Sequence, residues 1–299
     1  MTRKCLLVFN PISGNDSITE AELLELAEVK LPDFFLELWK TTGEKDDEKL
    51  IKKFEELLPD LVLIGGGDGT VKLVANTLHG KNVPLCILPL GSANGLAKCM
   101  EINDLVDSWE AIHDFNPQAI DAIYINGELC LHLADFGMNA NLIKKFEEEE
   151  SRGMFGYVKN SFSEIFGAEE AHFQLVLETE VIEIKAKMIV LANGDRYGTG
   201  AIVNCRGKMG DGKFEVISIN PQSAEDYLKM TMAFFKGDLD QLESVQTWSV
   251  DSCQLLNPTG AKFQIDGEIM GSPESITAKI EKHAFQFLTG KSFKACHTS

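Results

Sequence analysis

Short apolar runs alternate with amphipathic helical patterns through the first 120 residues. The runs, which predict buried strands, are residues 5–9, 34–39, 61–64 and 85–88. Between them, apolar residues recur at helical spacing in residues 23–27, 50–58 and 71–78. Ser17 followed by Glu20 predicts a capping box at the start of the first helix. This alternation predicts a Rossmann-like, three-layer α/β domain whose helices cover both faces of a parallel sheet.

The pattern changes near Asp121, after which short β-type runs follow one another. They are residues 122–125, 129–133, 173–178, 181–191, 213–219 and 262–265. Residues 152–166 predict a helical insertion between these runs. Many short strands predict a C-terminal antiparallel β-sandwich. We therefore expect an α/β domain in residues 1–121 and a β-rich domain in residues 122–299, the last residues of which can return to the first domain.

Charge and cysteine content narrow the class of protein. The formal net charge of -18 repels the phosphates of nucleic acids and of anionic lipids. We expect no nucleic-acid partner, and we expect any membrane contact to use a local apolar or basic patch. Seven cysteines without a CxxC pair favour a reducing compartment. No export signal and no apolar run of about 18 residues is visible, so we expect a cytoplasmic protein.

Three consecutive glycines follow the predicted strand of residues 61–64. The complete segment is Gly65-Gly66-Gly67-Asp68-Gly69-Thr70, and a helical pattern comes directly after it. Glycines let backbone N–H groups approach phosphate oxygens, and the positive end of the helix dipole points to the same place. A carboxylate at Asp68 beside phosphates suits a Mg²⁺ ligand or a proton acceptor. The alternative is a plain tight turn. The segment is neither a Walker A loop nor a GxGxxG dinucleotide loop, which indicates another class of nucleotide kinase.

GGGDGT after an apolar strand resembles the loop of the superfamily that holds diacylglycerol kinases, sphingosine kinases, NAD kinases and phosphofructokinases. Asn10-Pro11-Ile12-Ser13-Gly14 resembles the NPxSG loop of the lipid kinases, and Pro89-Leu90-Gly91-Ser92-Ala93-Asn94-Gly95 resembles their PxGSxN loop. Ser92 and Asn94 can equally cap the helix that follows. Thr41 or Thr42 matches a nucleotide-contacting Thr. The nucleotide contacts that the resemblance implies are Asn10, Pro11, Ser13, Gly14, Thr42, Gly65, Gly66, Gly67, Asp68, Gly69, Thr70, Gly91, Ser92, Asn94 and Glu268.

Motifs in the second half of the chain extend the resemblance. Asn193-Gly194 with Gly198 and Gly200 resembles the NGxxxGxG segment of the family, and Asp211-Gly212 resembles the DG with which bacterial members hold a structural metal. Asp266-Gly267-Glu268 resembles the DGE motif, and Asp121 matches an Asp of the magnesium and water network around ADP. Both Asp-Gly pairs can otherwise be plain turns. The metal ligands implied by the resemblance are Asp68, Asp121, Asp211 and Glu268.

The resemblance to diacylglycerol and sphingosine kinases runs from Asn10 to Glu268, with departures at Leu73 and Gly95, where the family often has acidic residues. It implies a kinase that uses ATP and Mg²⁺ to phosphorylate a diacylglycerol-like or sphingoid hydroxyl. Asp266 and Asp68 are both candidates for the general base. The implied partners are a lipid and, transiently, the membrane surface, and a homo-oligomer stays open. The implied apolar cleft for the lipid lies near Phe155, Tyr157, Phe162 and Phe166.

Two alternative functions stay open. A soluble NAD kinase-like enzyme would share GGGDGT, although the NPxSG and DGE motifs argue against it. A catalytically silent nucleotide-binding regulator is suggested by Leu73 and the other loop departures. The argument against that second alternative is the full set of carboxylates, namely Asp68, Asp121, Asp266 and Glu268.

Overall fold

The computed structural model describes residues 2–13, 18–137, 169–197 and 200–295. Some sequence expectations lie outside these residues, namely those for Gly14, for Ser17, for Gly198 and for the insertion at residues 152–166 with its apolar cleft. The described chain forms two compact units. The first contains the residues up to Ile120 together with His283–Ala295, and the second contains the described residues of Asp121–Lys282.

The first unit is built on a parallel sheet. Its strands are β1 (Arg3–Phe9), β2 (Phe34–Lys40), β3 (Leu61–Gly66) and β4 (Pro84–Pro89). They lie in the order β2-β1-β3-β4, and every neighbouring pair is parallel. The C-terminal part of the last strand, β16 (Ser275–Leu288), pairs in parallel with β4. Parallel pairing places the carboxyl ends of β1, β3 and β4 at one edge, where the loops that follow them can meet.

Helices cover both faces of this sheet. They are α1 (Glu20–Lys30), α2 (Asp46–Leu57), α3 (Asp68–Thr77), α4 (Gly95–Cys99) and α5 (Leu105–Asp114). Leu23 of α1 and Trp109 of α5 share a buried cluster with Leu7 and Leu63 of the sheet. Alternate strand residues such as Leu6 point to the opposite face and are also fully buried. Burial on both faces is typical of a central parallel sheet, and it confirms the predicted Rossmann-like three-layer architecture.

Thr19 is the N-cap of α1. Its side chain accepts a hydrogen bond from the Glu22 N–H at 3.3 Å, and the Glu22 carboxylate accepts one from the Thr19 N–H at 2.8 Å. The hydrogen bonds from the Thr19 side chain and N–H lower the pKa of Glu22. The capping box predicted from Ser17 and Glu20 is therefore wrong, because Glu20 is already the first residue of the helix.

Strands dominate the second half of the chain. They are β5 (Pro117–Ile125), β6 (Glu128–Cys130), β7 (Leu133–Phe136), β8 (Ala171–Val176), β9 (Val181–Ala186), β10 (Met188–Ala192), β11 (Phe214–Ile219), β12 (Val245–Val250), β13 (Ser252–Leu256), β14 (Phe263–Ile265), β15 (Glu268–Gly271) and the first part of β16. One antiparallel sheet has the order β12-β11-β10-β7-β14-β15. The other contains β16-β13-β8-β9, with β5 and β6 joined to it.

The two sheets of the second unit enclose a common core. Phe136 and Phe214 of the six-stranded sheet pack with Phe173 of the other sheet. The helix α6 (Ala224–Lys236) covers the outer face of the six-stranded sheet with Met230 and Phe234, and the short 3-10 helix Leu239–Gln241 follows it. This arrangement confirms the predicted antiparallel β-sandwich.

Residues 181–191, predicted as one strand, form two strands in different sheets. β9 pairs with β8, whereas β10 pairs with β7 and β11. Lys187 lies between β9 and β10, and its N–H donates to the Ile219 carbonyl at 3.1 Å. Residues 129–133 are divided in the same way between β6 and β7. Two consecutive strands in different sheets require the same kind of apolar residues as one long strand. The sequence pattern therefore does not show where the chain passes from one sheet to the other.

The sequence pattern also missed several elements, namely α5, α6, β12, β13, β15 and β16. The two outermost missed strands, β12 and β15, expose much of their surface and carry few apolar residues in a regular alternation.

Among the described helices, none is long and apolar enough to span a bilayer. Burial raises the pKa of the Cys5 and Cys253 thiols to about 12, so these cysteines act as small apolar side chains.

We expect Thr19→Ala to lower the free energy of unfolding by about 1 kcal/mol, because it removes the N-cap acceptor of α1. A urea titration followed by circular dichroism measures the change. Glu25→Ala is the matched control, since Glu25 is exposed on the same helix and alanine has at least equal helix propensity. An unchanged midpoint for Thr19→Ala would contradict the role of the cap.

Candidate functional site

The glycine segment joins β3 to α3. β3 ends at Gly66, and the N–H groups of Thr70 and Val71 donate to the Gly67 carbonyl at 2.9 and 3.1 Å. The N–H groups of Asp68 and Gly69 precede these bonds and have no acceptor within the helix. They point out of the positive end of α3, as in helix N-termini that bind phosphate. The predicted strand, glycine turn and helix are therefore present.

A second glycine loop contacts the first. The Leu90 N–H donates to the Gly66 carbonyl at 3.1 Å, directly after β4. A Cβ atom at Gly91 would lie 2.4 Å from the Gly67 Cα atom, and a Cβ atom at Gly67 would lie 3.1 Å from the Gly91 Cα atom. The two backbones can approach in this way only because both residues are glycine.

Asp68 connects these two loops through its carboxylate. Its oxygens accept hydrogen bonds from the Gly95 N–H at 2.8 Å and the Leu96 N–H at 2.9 Å. These are the first two N–H groups of α4, so Asp68 caps a helix from another loop. The sequence did not predict this role, because the partners lie 27 and 28 residues away.

Asn94 stabilises the second loop from within. Its backbone is left-handed, with φ 51, and its side chain accepts from the Gly91 N–H at 2.8 Å and donates to the Gly91 carbonyl at 2.7 Å. The side chain makes no capping hydrogen bond to α4. The capping alternative for Asn94 is therefore wrong, and Asp68 takes that role. Ser92, like Asn94, stays a predicted nucleotide contact.

The predicted NPxSG segment is a turn attached to the glycine loop. The Asn10 N–H donates to the Gly65 carbonyl at 2.9 Å, and the Asn10 side-chain amide donates to the Thr70 hydroxyl at 3.0 Å. The Ser13 N–H donates to the Asn10 carbonyl at 3.1 Å. Pro11 is exposed, and Ser13 is half-buried. The NPxSG segment and the PxGSxN loop thus both contact the glycine segment of residues 65–70.

Thr42 lies in the loop after β2, where it is bonded to Asp46. The Asp46 carboxylate accepts from the Thr42 N–H at 2.9 Å and from the Thr42 hydroxyl at 2.8 Å, and Lys49 donates to the same hydroxyl at 2.8 Å. Burial raises the pKa of Asp46, but the hydrogen bonds from Thr42 and Gly43 outweigh burial and lower it. Asp46 is therefore ionised at neutral pH and fixes Thr42, whose nucleotide contact stays a prediction.

In the second unit, Asp266 occupies a tight turn between β14 and β15. Ile265 pairs with Glu268, and Asp266 and Gly267 have φ values of 49 and 87, as in a type I′ turn. The Asp266 carboxylate accepts from the N–H groups of Leu131, His132 and Leu133 at 3.1, 3.0 and 3.3 Å. The Asp-Gly pair is thus a turn, and the turn also presents an oriented carboxylate.

Asp121 and Asn193 belong to the same network. The Asn193 side-chain amide donates to the Asp121 carbonyl at 2.9 Å and to the Leu131 carbonyl at 2.8 Å. The fully buried Asp121 carboxylate accepts from the Gly212 N–H at 2.6 Å. A series of hydrogen bonds therefore links these side chains to Leu131, whose N–H donates to Asp266. The sequence places Asn193 only in the NGxxxGxG segment. Its bridging role could not be predicted, because its partners lie 72 and 62 residues away in the chain.

Asp211 and Glu268 are both exposed. Asp211 accepts from the Lys213 N–H at 3.0 Å in a turn before β11, and Glu268 begins β15. Among the described residues, no three His, Cys, Asp or Glu side chains cluster as a metal site. The roles of these carboxylates as metal ligands stay predictions.

The donor atoms near Asp121 nevertheless fit a hard cation. Asn193 Oδ1 is buried and accepts no hydrogen bond from any described residue, and carboxylate and amide oxygens are ligands that Mg²⁺ prefers. Mg²⁺ usually binds through one or two carboxylates, water and nucleotide phosphates. A cluster of three protein ligands is therefore not required.

Two family models match the chain. The model described as the diacylglycerol kinase catalytic domain matches residues 4–125. The model described as the YegS C-terminal NAD kinase beta sandwich-like domain matches residues 134–288, which is more than half of the chain. The chain belongs to the diacylglycerol kinase-like family. This membership confirms the resemblance that rested on the glycine, NPxSG and DGE motifs.

Individual proteins also show distant similarity to this chain. A Synechocystis protein named as uncharacterized is 26% identical, and the match covers 89% of this chain but 66% of that protein. A Staphylococcus haemolyticus protein named "Putative lipid kinase" is 26% identical over 77% of this chain and 76% of its own length. A crystal structure of "a putative diacylglycerol kinase" from Bacillus anthracis has a TM-score of 0.77 at 20% identity, covering 98% of this chain and 99% of that one. The last comparison shows a shared fold.

We expect Gly91→Ala to destabilise this family member by about 1–3 kcal/mol, because the added Cβ overlaps the Gly67 backbone. Displacement of the two loops is also expected to weaken ATP binding by at least about tenfold. Thermal unfolding and calorimetric ATP titration measure these effects. Gly69→Ala is the control for stability, since its Cβ would meet nothing within 4 Å. Equal melting temperatures for the two variants would contradict the close contact.

Proposed function

We propose that this protein transfers the γ-phosphoryl group of ATP to a lipid hydroxyl. The observation that carries the proposal is the contact between the Gly67 and Gly91 backbones, which joins two glycine loops at the N-terminus of α3. One glycine turn at a strand end is common. Two such loops in direct contact form a glycine-lined surface at the positive end of α3, which suits a triphosphate.

The nucleotide contacts we propose lie around this surface. The N–H groups of Asp68 and Gly69 bind phosphate oxygens, and Asn10 and Thr70, which bond to each other, hold the neighbouring turn in place. Thr42 is a further proposed contact. Phosphoryl transfer involves little covalent chemistry by the protein, so positioning by such loops accounts for much of the catalysis.

Mg²⁺ supports the proposed reaction by neutralising the charge that develops on the phosphate oxygens. The resemblance to the kinase family implies Asp68, Asp121 and Glu268 as its ligands. Within the second unit, Asn193 Oδ1 offers a neutral oxygen donor, and the amide of the same side chain bonds to the Asp121 carbonyl. We propose Asp211 for a separate structural metal. These assignments follow from donor chemistry and from the resemblance to the kinase family.

Asp266 is our choice of proton acceptor over Asp68. Both oxygens of Asp68 cap α4, so this carboxylate serves to hold the nucleotide loops. Asp266 lies partly exposed at a turn, where its carboxylate is oriented by three backbone N–H groups. In the proposed step the lipid O–H proton moves to Asp266, and the lipid oxygen bonds to the γ-phosphorus. The bond between the γ-phosphorus and the bridging oxygen breaks, which releases ADP.

A lipid acceptor is supported by the names of relatives such as the Staphylococcus haemolyticus protein. The class of lipid is diacylglycerol-like or sphingoid. The net charge of -18 opposes lasting attachment to anionic bilayers, which favours transient contact with the membrane. The family model that matches the β-sandwich is described as NAD kinase-like, so NAD is the alternative acceptor to compare with a lipid.

A transfer assay with radiolabelled ATP tests the proposed function. The protein is incubated with Mg²⁺ and separately with vesicles containing diacylglycerol, vesicles containing sphingosine, and NAD. We expect label in a lipid product. Label in the dinucleotide would instead support an NAD kinase-like enzyme, and ATP binding without transfer to any acceptor would support a silent regulator.

The two carboxylates are expected to respond differently to amide substitution. Asp266→Asn should lower kcat by about 10²- to 10⁴-fold with little change in KM for ATP, because it removes a proton acceptor. Asp68→Asn should raise KM for ATP and lower the melting temperature, because an amide cannot accept from both α4 N–H groups. Asp33→Asn, at an exposed position, is the control. Steady-state kinetics with the lipid acceptor checks this, and the reverse pattern would make Asp68 the base.

A further inference from the structure

The backbone conformation of Asp266 is that of a tight turn. It is the first residue of the two-residue turn between β14 and β15, with φ 49, a left-handed conformation that Asp and Asn adopt more readily than other L-residues. The turn determines the direction of the Asp266 carboxylate. Whatever holds the turn therefore also positions the proton acceptor of the proposed reaction.

Gln264 holds this turn from the adjacent strand residue. The Gly267 N–H donates to Gln264 Oε1 at 2.6 Å, and Gln264 Nε2 donates to Asp135 Oδ2. Gln264 and Asp135 are direct neighbours on β14 and β7, and their exposed fractions are 5% and 0%. The Tyr197 hydroxyl lies 3.5 Å from the same Asp135 oxygen. A buried series of polar side chains thus runs from Asp135 to the turn that carries Asp266.

The carboxylate of Asp135 decides which way the Gln264 amide is oriented. An amide has a donor end and an acceptor end, and Asp135 Oδ2 accepts from the donor end of Gln264. The NH₂ end must therefore face Asp135, and this leaves Oε1 to accept from the Gly267 N–H. Without an acceptor at position 135, the amide would be free to turn over and present its NH₂ group to the Gly267 N–H, which is also a donor.

We propose that Asp135 and Gln264 are positioning residues that set the direction of the Asp266 carboxylate through the Gly267 N–H. The proposal rests on the proposed function in that Asp266 is taken as the proton acceptor. Its geometric part, the dependence of the turn on Gln264, can be measured without any substrate. Neither residue belongs to a motif, which is why the sequence alone did not single them out.

Exchange of the two functional groups is the sharpest kinetic test. Gln264→Glu places a second carboxylate beside Asp135, and we expect kcat to fall by about 10- to 100-fold with unchanged KM for ATP. In the double variant Asp135→Asn with Gln264→Glu, the amide at position 135 donates to the carboxylate at position 264, which still accepts from Gly267. We expect kcat of the double variant to return to within about threefold of wild type.

A pH profile separates positioning from packing. Two carboxylates in contact share a proton at low pH and repel each other once both ionise. Activity of Gln264→Glu relative to wild type should therefore fall as the pH rises from about 6 to about 8, while the double variant should follow wild type. A packing role would not produce this difference, because Gln and Glu have nearly the same size. Gln246→Glu, an exposed change in the same sheet, is the control for added charge.

Hydrogen exchange at the Gly267 amide, followed by NMR on the unliganded protein, tests the geometry directly. We expect protection in wild type and in the double variant, and faster exchange in Gln264→Met. Thermal unfolding identifies any variant that fails to fold. If Gln264→Glu fails to fold, the double variant and Gln264→Met still test the proposal.

The outcomes distinguish this proposal from the proposed function. If wild type labels no lipid while Gly267 exchange follows the expected order, the proposed function fails and the positioning of the turn stands. The positioning proposal is overturned if Gln264→Met leaves both Gly267 exchange and kcat unchanged, or if the double variant is no more active than Gln264→Glu.

Discussion

The close approach of the Gly67 and Gly91 backbones is the constraint on which the nucleotide unit depends. A Cβ atom on Gly91 would overlap the Gly67 Cα atom, so two loops from neighbouring strands can meet only without side chains at these positions. The contact brings the N-terminus of α4 within reach of Asp68. It therefore explains why the glycines and the Asp of one motif act together with a motif about 25 residues later.

Backbone N–H groups orient both candidate carboxylates of the proposed reaction. Asp68 accepts from the first turn of α4, and Asp266 accepts from the peptide of residues 131–133. Backbone donors are held by secondary structure, so they fix a carboxylate more rigidly than a long, flexible side chain can. The difference between the two lies in what they hold in return. Asp68 connects two phosphate loops, whereas Asp266 depends on a turn supported by Gln264 and Asp135.

Local patterns predicted much of the fold and part of the site. The strands of the parallel sheet followed from apolar runs, because a strand buried on both faces must be apolar throughout. Prediction failed where two alternative local structures require the same types of residue. The apolar pattern of residues 181–191 fits one strand as well as two. The sequence did not distinguish Ser17 from Thr19 as the N-cap of α1, because either hydroxyl could accept the capping hydrogen bond.

The sequence by itself determined the two-domain α/β and β-sandwich class, the glycine turns and the positions of the acidic motifs, because these depend on residues adjacent in the chain. Only the tertiary structure decided that Asp68 caps α4, that Asn193 bridges Asp121 and Leu131, and that Asp135 orients Gln264. The physical reason is that a hydrogen bond depends on the position of its partner in space. These partners lie between 27 and 129 residues apart in the chain, a separation at which local pattern carries no information about contact.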